Sequence, residues 1–148
     1  MRSGPMMRSR ASEGRYINYR KKTGKSVSCS FCDLLEHGGD QVVEKTSHCL
    51  IIKNIFGYDI WDGCGVTEHL MIIPHKHTAS LSTLSPEEKI DYMNQLARFE
   101  AKNYSLYARS PGNITKSVTH QHMHLIKIDN KRKKFLLYLR RPHMMFSK

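Results

Sequence analysis

Three histidines at alternate positions in residues 119–126 (THQHMHLI) constrain this 148-residue chain more than any other feature. Successive side chains of a β-strand point to opposite faces, so a strand here places His120, His122 and His124 in one row about 13 Å long. Burial of three imidazoles is costly unless each ring nitrogen is hydrogen-bonded or ligated. A neutral imidazole is a base, a nucleophile or a metal ligand near neutral pH. The pattern therefore indicates a chemical site, with a solvated histidine row and a bare surface metal site as the alternatives.

The clearest helix signal begins at Ser85. Ser85 can cap the helix, Pro86 suits the first helical position, and Glu88 completes a capping box. Apolar residues on one stripe continue the pattern to Tyr107, and residues 110–113 (SPGN) break it. The sequence therefore predicts one long helix from Pro86 to Tyr107.

A second, shorter helix and several short strands surround it. Phe31, Leu34 and Leu35 have helical spacing, and Gly38 and Gly39 follow as a stop signal. Residues 58–65 form a turn-rich connection. The predicted strands are Val42–Glu44, His48–Phe56, Glu68–Pro74, Val118–Ile128 and Phe135–Leu139. Together these elements predict an α+β fold, with an antiparallel sheet of about five strands, one long helix and one short helix.

The basic residues lie mainly at the two ends of the chain. Residues 1–28 hold eight Lys and Arg against one acid, residues 125–148 hold eight against one, and residues 29–124 hold eight against eleven. Basic ends attract polyanions, although a solvated tail has the same composition. We therefore divide the chain into a basic flexible N-terminal arm (1–28), one folded domain (29–128) and a basic C-terminal extension (129–148).

The cysteines and the short apolar runs indicate in which cellular compartment the protein is expected. The longest apolar runs are far shorter than the roughly 20 residues of a membrane span, and no apolar stretch of secretory-signal length follows the first arginines. Cys29 and Cys32 form a Cys-x-x-Cys pair, typical of metal or redox chemistry, whereas Cys49 and Cys64 lie in apolar surroundings. We expect a cytoplasmic protein without a membrane span. The Arg-rich start also resembles a mitochondrial transit peptide, but Glu13 and the weak apolar face argue against one.

Residues 29–128 resemble the histidine triad (HIT) family, whose motif is His-φ-His-φ-His-φ-φ with φ apolar. Three features match in the family's order: the Cys-x-x-Cys pair, residues 69–77 (HLMIIPHKH), and the triad with Ser117 and Val118 before it. The resemblance implies the family's α+β fold. It favours the Hint-like and Fhit-like nucleotide hydrolases over the transferase branch, which carries glutamine where this chain has His124.

The sequence departs from the family's pattern at two positions beside the triad. Gln121 stands where an apolar residue is usual, and Lys116 stands where the Hint branch typically carries glutamine.

The resemblance also implies a mechanism. His122 would attack the α-phosphorus of a phosphoramidate or a dinucleoside polyphosphate, and hydrolysis of the nucleotidyl-histidine would release a nucleoside monophosphate. A neutral His122 must present a lone pair, so its other ring nitrogen is expected to donate to a backbone carbonyl. His124 would contact the phosphate or bridging oxygen and assist leaving-group protonation. The catalytic candidates are His122, His124, His120 and His69, and the phosphate-binding candidates are Ser117 and Lys116.

Zinc is the one cofactor that the resemblance implies, and no organic cofactor is expected. Bacterial Hint-type members hold zinc with the cysteine pair and two histidines. These ligands map onto Cys29, Cys32, His77 and His120. Two thiolates and two imidazoles form a closed tetrahedral site, which serves structure rather than Lewis acidity. A pair of reduced thiols is the alternative, and His75 and His48 are less favoured ligands.

The basic ends keep a second hypothesis open. A HIT-like module could hold RNA or DNA with its basic arms, and could remove adenylate from nucleic-acid ends as aprataxin does. Phosphate-backbone binding weakens steeply with salt, whereas hydrolysis of a small nucleotide depends on it much less. The family resemblance also suggests a homodimer.

Overall fold

The computed structural model describes residues 8–23, 28–133, 136–140 and 143–147. The helices are α1 (Arg10–Thr23), α2 (Ser30–His37) and α3 (Pro86–Glu100), with a 3₁₀ turn at Leu81–Thr83. The strands are β1 (Val42–Lys45), β2 (Cys49–Lys53), β3 (Ile60–Trp61), β4 (Cys64–Pro74), β5 (Ser105–Ala108), β6 (Met123–Arg132), β7 (Leu136–Arg140) and β8 (His143–Ser147). None of these helices is both long and apolar enough to cross a membrane.

The main sheet is antiparallel and confirms the predicted α+β class. Its strand order is β1-β2-β4-β6-β5, and β3 adds a sixth strand by pairing with the start of β4. In the central pair, Leu70 of β4 lies opposite Leu125 of β6, and Met71 lies opposite His124. The predicted strand Phe135–Leu139 corresponds to β7, which forms a separate hairpin with β8.

The two faces of the sheet bury different residues. Because side chains alternate along each strand, one set faces α3 and the other faces α2. The set on the α3 face includes Ile51, Leu70, Ile72 and Leu125, packed with Tyr92, Leu96 and Phe99. The set on the α2 face includes Leu50, Ile52, Met71 and Ile73, packed with Phe31. Since His124 lies opposite Met71, it belongs to the α2 face.

Helix α3 begins as predicted but ends earlier. Ser85 Oγ accepts from the Glu88 amide at 3.2 Å, and the Glu88 carboxylate accepts from the Ser85 amide at 2.7 Å, so the predicted capping box is present. The helix ends at Glu100 and not at Tyr107. Asn103 has a φ of 65°, a left-handed conformation that terminates helices. The residues that follow form β5, because pairing with β6 replaces the helical hydrogen bonds.

Strand β6 begins later than the predicted strand Val118–Ile128. It starts at Met123, so the first two triad histidines lie just before it, His120 in a bend and His122 in an irregular stretch. There the Gln121 amide donates to the carbonyl of Thr78 at 2.6 Å instead of joining the ladder with β4. The connection to Thr78 therefore turns this segment away from the strand register.

The far ends of β4 and β6 extend beyond the predicted strands. β4 begins at Cys64 rather than Glu68, and β6 continues to Arg132. The Asp129 carboxylate accepts from the Gly65 amide at 3.1 Å and holds the two strands together there. A Cβ at Gly65 would lie 2.7 Å from Asp129 Oδ2, so this approach requires glycine.

Helix α1 lies within the segment that the sequence analysis assigns to a flexible arm, and this corrects the expectation for Arg10–Thr23. Tertiary contacts, and not an apolar stripe, hold the helix. Arg8 Nε donates to the carbonyl of Phe56 at 2.8 Å, and the Ser9 amide donates to Asp59 at 2.5 Å. The Tyr16 ring packs on Phe56 with centroids 5.5 Å apart. These partners are distant in sequence, so local periodicity could not predict the helix.

A carboxylate on α3 provides a test of this architecture. Asp91 accepts from the Thr46 hydroxyl and the His48 amide, both at 2.8 Å, and so links α3 to the β1–β2 turn. We expect Asp91→Ala to lower the free energy of unfolding by about 1–3 kcal/mol, because both donors lose their acceptor. Urea denaturation measures the change. Asp40→Ala, at an exposed aspartate, is the matched control. Equal losses of unfolding free energy in the two variants would contradict the role assigned to Asp91.

Candidate active site

His122 lies at the end of the irregular segment that leads into β6. Its Nδ1 lies 2.9 Å from the carbonyl oxygen of His120. A carbonyl only accepts, so Nδ1 carries the hydrogen and Nε2 keeps a lone pair. This is the hydrogen bond that the sequence analysis expects for a neutral His122. The ring also packs edge-on against Phe31 of α2, with centroids 5.1 Å apart, which restrains its rotation.

His124 and His69 form a buried pair beside His122. The Tyr58 amide donates to His69 Nδ1 at 3.0 Å, so a neutral His69 carries its hydrogen on Nε2. That Nε2 lies 2.9 Å from His124 Nδ1 and donates to it. His124 therefore carries its own hydrogen on Nε2, which is buried without a hydrogen-bond partner among the described residues. The pair leaves one N–H donor available next to His122, whose ring centroid is 5.2 Å from that of His124.

The loop of residues 54–58 holds His69 in place. The Asn54 amide donates to the His69 carbonyl at 2.9 Å. The loop can approach because residue 57 is glycine: a Cβ at Gly57 would lie 3.1 Å from His69 Cβ. Asn54 Nδ2 lies 3.2 Å from His69 Nε2, but both atoms carry hydrogen, so this contact adds no hydrogen bond. No motif in the sequence marks Asn54 or Tyr58 as part of the site.

Burial keeps these histidines neutral. Desolvation, with the Arg8 charge as the smaller cause, lowers the pKa of His69 to about 3. Desolvation, followed by the charges of neighbouring histidines and arginines, lowers the pKa of His124 to about 2. Burial is also the largest cause that lowers the pKa of His122 and of His120. At neutral pH these rings therefore act through the tautomers that their hydrogen bonds select.

Lys116 and Ser117, the predicted phosphate-binding residues before the triad, have different surroundings. Lys116 Nζ donates to the side-chain oxygen of Gln121, and burial lowers the pKa of Lys116. Gln121 Nε2 donates in turn to the Arg109 carbonyl at 3.4 Å. The two departures from the family pattern thus contact each other, and the buried Gln121 side chain is hydrogen-bonded at both ends. Ser117 is exposed on the loop before the triad, and its hydroxyl makes no hydrogen bond within the described part of the chain.

A cysteine and histidine cluster lies at the other end of the triad segment. One ligand atom from each of its members lies within 4.8 Å of all the others. The members are Cys29, Cys32, His77 and His120. Cys32 Sγ is 3.1 Å from His77 Nδ1, and both sulfurs are 3.6 Å from His120 Nδ1. His120 Nε2 donates to the Pro74 carbonyl at 2.9 Å, so the Nδ1 lone pair faces the sulfurs. A ligating histidine typically has this arrangement.

The structure thus brings most of the predicted site residues together in two adjacent groups. His122, His124 and His69 form one group, and the four predicted metal ligands form the other, with His120 between them. His75 and His48, the less favoured ligands, are not members of the cluster.

Comparison with protein-family models gives no match, and neither does comparison with curated proteins. Solved structures do match. A HIT family hydrolase from Legionella pneumophila Philadelphia 1 superposes with a TM-score of 0.51 at 23% identity, over 71% of this chain and 95% of that one. A HIT family hydrolase from Clostridium thermocellum gives 0.52 at 22% identity, over 73% and 97%. A zinc-bound histidine triad family protein from Mycobacterium smegmatis gives 0.53 at 20% identity, over 74% and 85%.

These likenesses identify the fold. The chain is an α+β protein with histidines clustered on one face of an antiparallel sheet. More specifically, it has the fold of the histidine triad proteins, and the resemblance drawn from its residues is confirmed at the level of the fold.

The neutral His69 predicts a pH dependence of stability. Its pKa is about 3 in the folded chain, below the ordinary value of 6.5, so the unfolded chain binds more protons between those values. Folding stability contributed by this neutral ring is complete above pH 6.5 and decreases as the pH falls, by about 1.4 kcal/mol per pH unit. We expect His69→Asn, which keeps an acceptor for the Tyr58 amide, to remove that part of the decrease in the free energy of unfolding with falling pH. Urea denaturation between pH 4.5 and 6 would measure it.

The matched control is His37→Asn at the exposed end of α2, where the side chain is 71% exposed. Its slope should equal that of the wild type. An unchanged slope in His69→Asn would show that the ring is not buried in the neutral form.

Proposed function

We propose that this protein belongs to the HIT family and hydrolyses nucleotides. In this proposal it cleaves at the α-phosphate of a phosphoramidate or a dinucleoside polyphosphate and releases a nucleoside monophosphate. The hydrogen bond from His122 Nδ1 to the His120 carbonyl supports it most directly, because it leaves a nucleophilic lone pair on Nε2. The names of the two superposed hydrolases agree with this activity class.

The first step forms a covalent nucleotidyl-histidine. The Nε2 lone pair of His122 bonds to the α-phosphorus, and the bond from phosphorus to the leaving group breaks with its electron pair on that group. A phosphate leaves as an anion, whereas an amine also takes up a proton from the solvent as it leaves. The His122 ring becomes cationic, and the His120 carbonyl stabilises it by accepting the Nδ1 hydrogen. His124 donates its Nε2 hydrogen to an oxygen that gains negative charge.

The second step regenerates the enzyme. A water molecule attacks the phosphorus, and the phosphorus–nitrogen bond breaks with its electron pair returning to His122 Nε2. The water loses one proton, and the product is a nucleoside monophosphate. Because His122 leaves as a neutral ring from a cationic intermediate, this step needs no additional proton on the histidine.

Trapping the intermediate tests the proposal. The protein is incubated with adenosine 5′-phosphoramidate or diadenosine tetraphosphate labelled at the α-phosphate, and the reaction is quenched rapidly in alkali. We expect protein-bound label on His122, because phosphorus–nitrogen bonds to histidine resist alkali, and we expect His122→Gly to abolish it. His37→Gly, at an exposed histidine, is the matched control and should keep the label. Absence of both label and released monophosphate with either substrate would contradict the proposal.

We also propose that the cysteine and histidine cluster holds a structural zinc ion. The residues fit because two sulfurs and two imidazole nitrogens lie within 4.8 Å of one another, and because His120 Nδ1 presents its lone pair to them. A zinc ion bound there would link α2, the chain after β4 and the triad segment. His120 would then be fixed both by its ring and through its carbonyl, which holds His122.

Metal content and thermal stability test the zinc proposal independently of activity. We expect about one zinc ion per chain in the purified protein, and we expect Cys32→Ser to lose the metal and to lower Tm by about 5 °C or more. Cys64→Ser, at a half-buried cysteine outside the cluster, should keep the metal. A metal-free protein whose Tm is unaffected by added zinc or by a chelator would refute the proposal.

A further inference from the structure

An arginine follows strand β5 and lies close to the triad histidines. In the β5–β6 pair, Tyr107 lies opposite His124 and Ala108 lies opposite Met123. Arg109 directly follows Ala108 and His122 directly precedes Met123, so both residues lie just beyond the end of this ladder. Directly opposite residues of an antiparallel pair project to the same side, with Cβ atoms about 5 Å apart. Tyr107 therefore shares the face of His124. Arg109 reaches the same place through Tyr58, whose hydroxyl accepts from Arg109 and whose ring centroid is 6.0 Å from that of His124. The Arg109 charge contributes to the lowered pKa values of His122 and His124.

The Arg109 side chain is held in place and retains donor capacity. Its Nη2 donates to the Tyr58 hydroxyl at 3.0 Å, and its guanidinium lies 5.3 Å from the Tyr107 ring centroid. Its Nε is buried and has no hydrogen-bond partner among the described residues. A buried donor without a partner is costly, and an anion at this place would satisfy it.

Arg8, just before α1, is a second cation at the same place, and its Nη1 forms an ion pair with Glu13 at 3.3 Å. The Arg8 guanidinium lies 5.0 Å from the Tyr58 ring centroid, so Tyr58 lies between two arginines. Arg8 also contributes to the lowered pKa of His69 and of His124, which places its charge near both rings.

An aromatic wall adjoins these cations. The half-buried Trp61 ring stacks on Tyr58 with centroids 6.0 Å apart and contacts Tyr107 at 5.3 Å. The Tyr107 ring in turn stacks near His124, with centroids 5.9 Å apart. The His124 end of the triad therefore carries two arginines, one of them paired with Glu13, and a surface suited to stacking a base.

We propose that Arg109, assisted by Arg8, forms a phosphate-binding subsite for the leaving group, so that the enzyme prefers substrates that release a phosphate over those that release an amine. This inference rests on the proposed hydrolase function and extends it. A nucleotide and the 5′-phosphate of a nucleic-acid end share this leaving-group chemistry.

The tautomer of His124, which its hydrogen bond with His69 selects, supports the same preference. A phosphate leaves with the electron pair of the broken phosphorus–oxygen bond as a stable anion and needs no proton. An amine must gain a proton as the phosphorus–nitrogen bond breaks. A neutral His124 can donate a hydrogen bond from Nε2, but it has no additional proton to transfer. In this proposal His124 therefore assists the leaving group by hydrogen bonding, and protonation of an amine depends on the solvent.

Rates of adenosine monophosphate release test the preference. The substrates are diadenosine tetraphosphate, a 5′-adenylated oligonucleotide and adenosine 5′-phosphoramidate. We expect a higher kcat/KM for at least one phosphate-releasing substrate than for the phosphoramidate. Arg109→Gln should lower kcat/KM on the phosphate-releasing substrates about tenfold more than on the phosphoramidate, as loss of a charge-assisted contact predicts. The faster of the two phosphate-releasing substrates identifies the source of the phosphate.

Arg98→Gln is the matched control, because it removes one positive charge from α3 on the opposite face of the sheet. It should leave the ratio between substrates unchanged. Equal losses on all substrates in Arg109→Gln, or no loss on any, would overturn the subsite. A higher wild-type kcat/KM for the phosphoramidate than for both phosphate-releasing substrates would also overturn the subsite.

A binding measurement separates failure of the subsite from failure of the hydrolase. Calorimetric titration with ADP, a leaving group of the dinucleotide reaction, needs no turnover. We expect Arg109→Gln to weaken ADP binding about tenfold, and Arg98→Gln to have no effect. If the wild type releases no monophosphate, the hydrolase proposal fails while this titration still decides the subsite. Equal ADP affinities for Arg109→Gln and the wild type would overturn it.

Discussion

The hydrogen bond from His122 Nδ1 to the His120 carbonyl is the interaction on which the rest of the site depends. It fixes the tautomer, so the reactive lone pair is on Nε2. His120 is itself fixed through its ring, which donates to the Pro74 carbonyl at the end of β4 and presents Nδ1 to two cysteines. One residue thus connects the cluster to the nucleophile. A disturbance of the cluster should therefore affect the orientation of His122 without any contact between the metal ligands and the substrate.

The second histidine pair depends on a loop rather than on a strand. The Tyr58 amide determines which nitrogen of His69 carries hydrogen, and this in turn determines the tautomer of His124. The chain can make that contact because Gly57 has no Cβ. A backbone donor has no alternative protonation state, so it controls the tautomer more reliably than a titratable side chain would.

Local sequence patterns predict the existence of individual elements better than they predict where those elements end. The capping box is a local pattern and appears where the sequence places it, whereas only the last of the three alternating histidines lies in a strand. The end of α3 is different, because β5 competes for the same residues and sheet pairing wins. Helix α1 depends on contacts with Phe56 and Asp59, more than 30 residues away. Such contacts leave no periodic signal in the sequence.

Arg109 could not be recognised from the sequence for a related reason. It lies close to the triad because it follows β5, which pairs with β6, whereas the sequence predicts a helix as far as Tyr107 in place of that strand. The positive charge of Arg109 has two effects at this site. Its positive charge, with that of Arg8, disfavours protonation of His124 and attracts an anionic substrate. The charges that would bind phosphate therefore also keep the imidazoles neutral, and a neutral imidazole is the form that can attack phosphorus. Substrate binding and the readiness of the nucleophile are thus two consequences of the same electrostatic field.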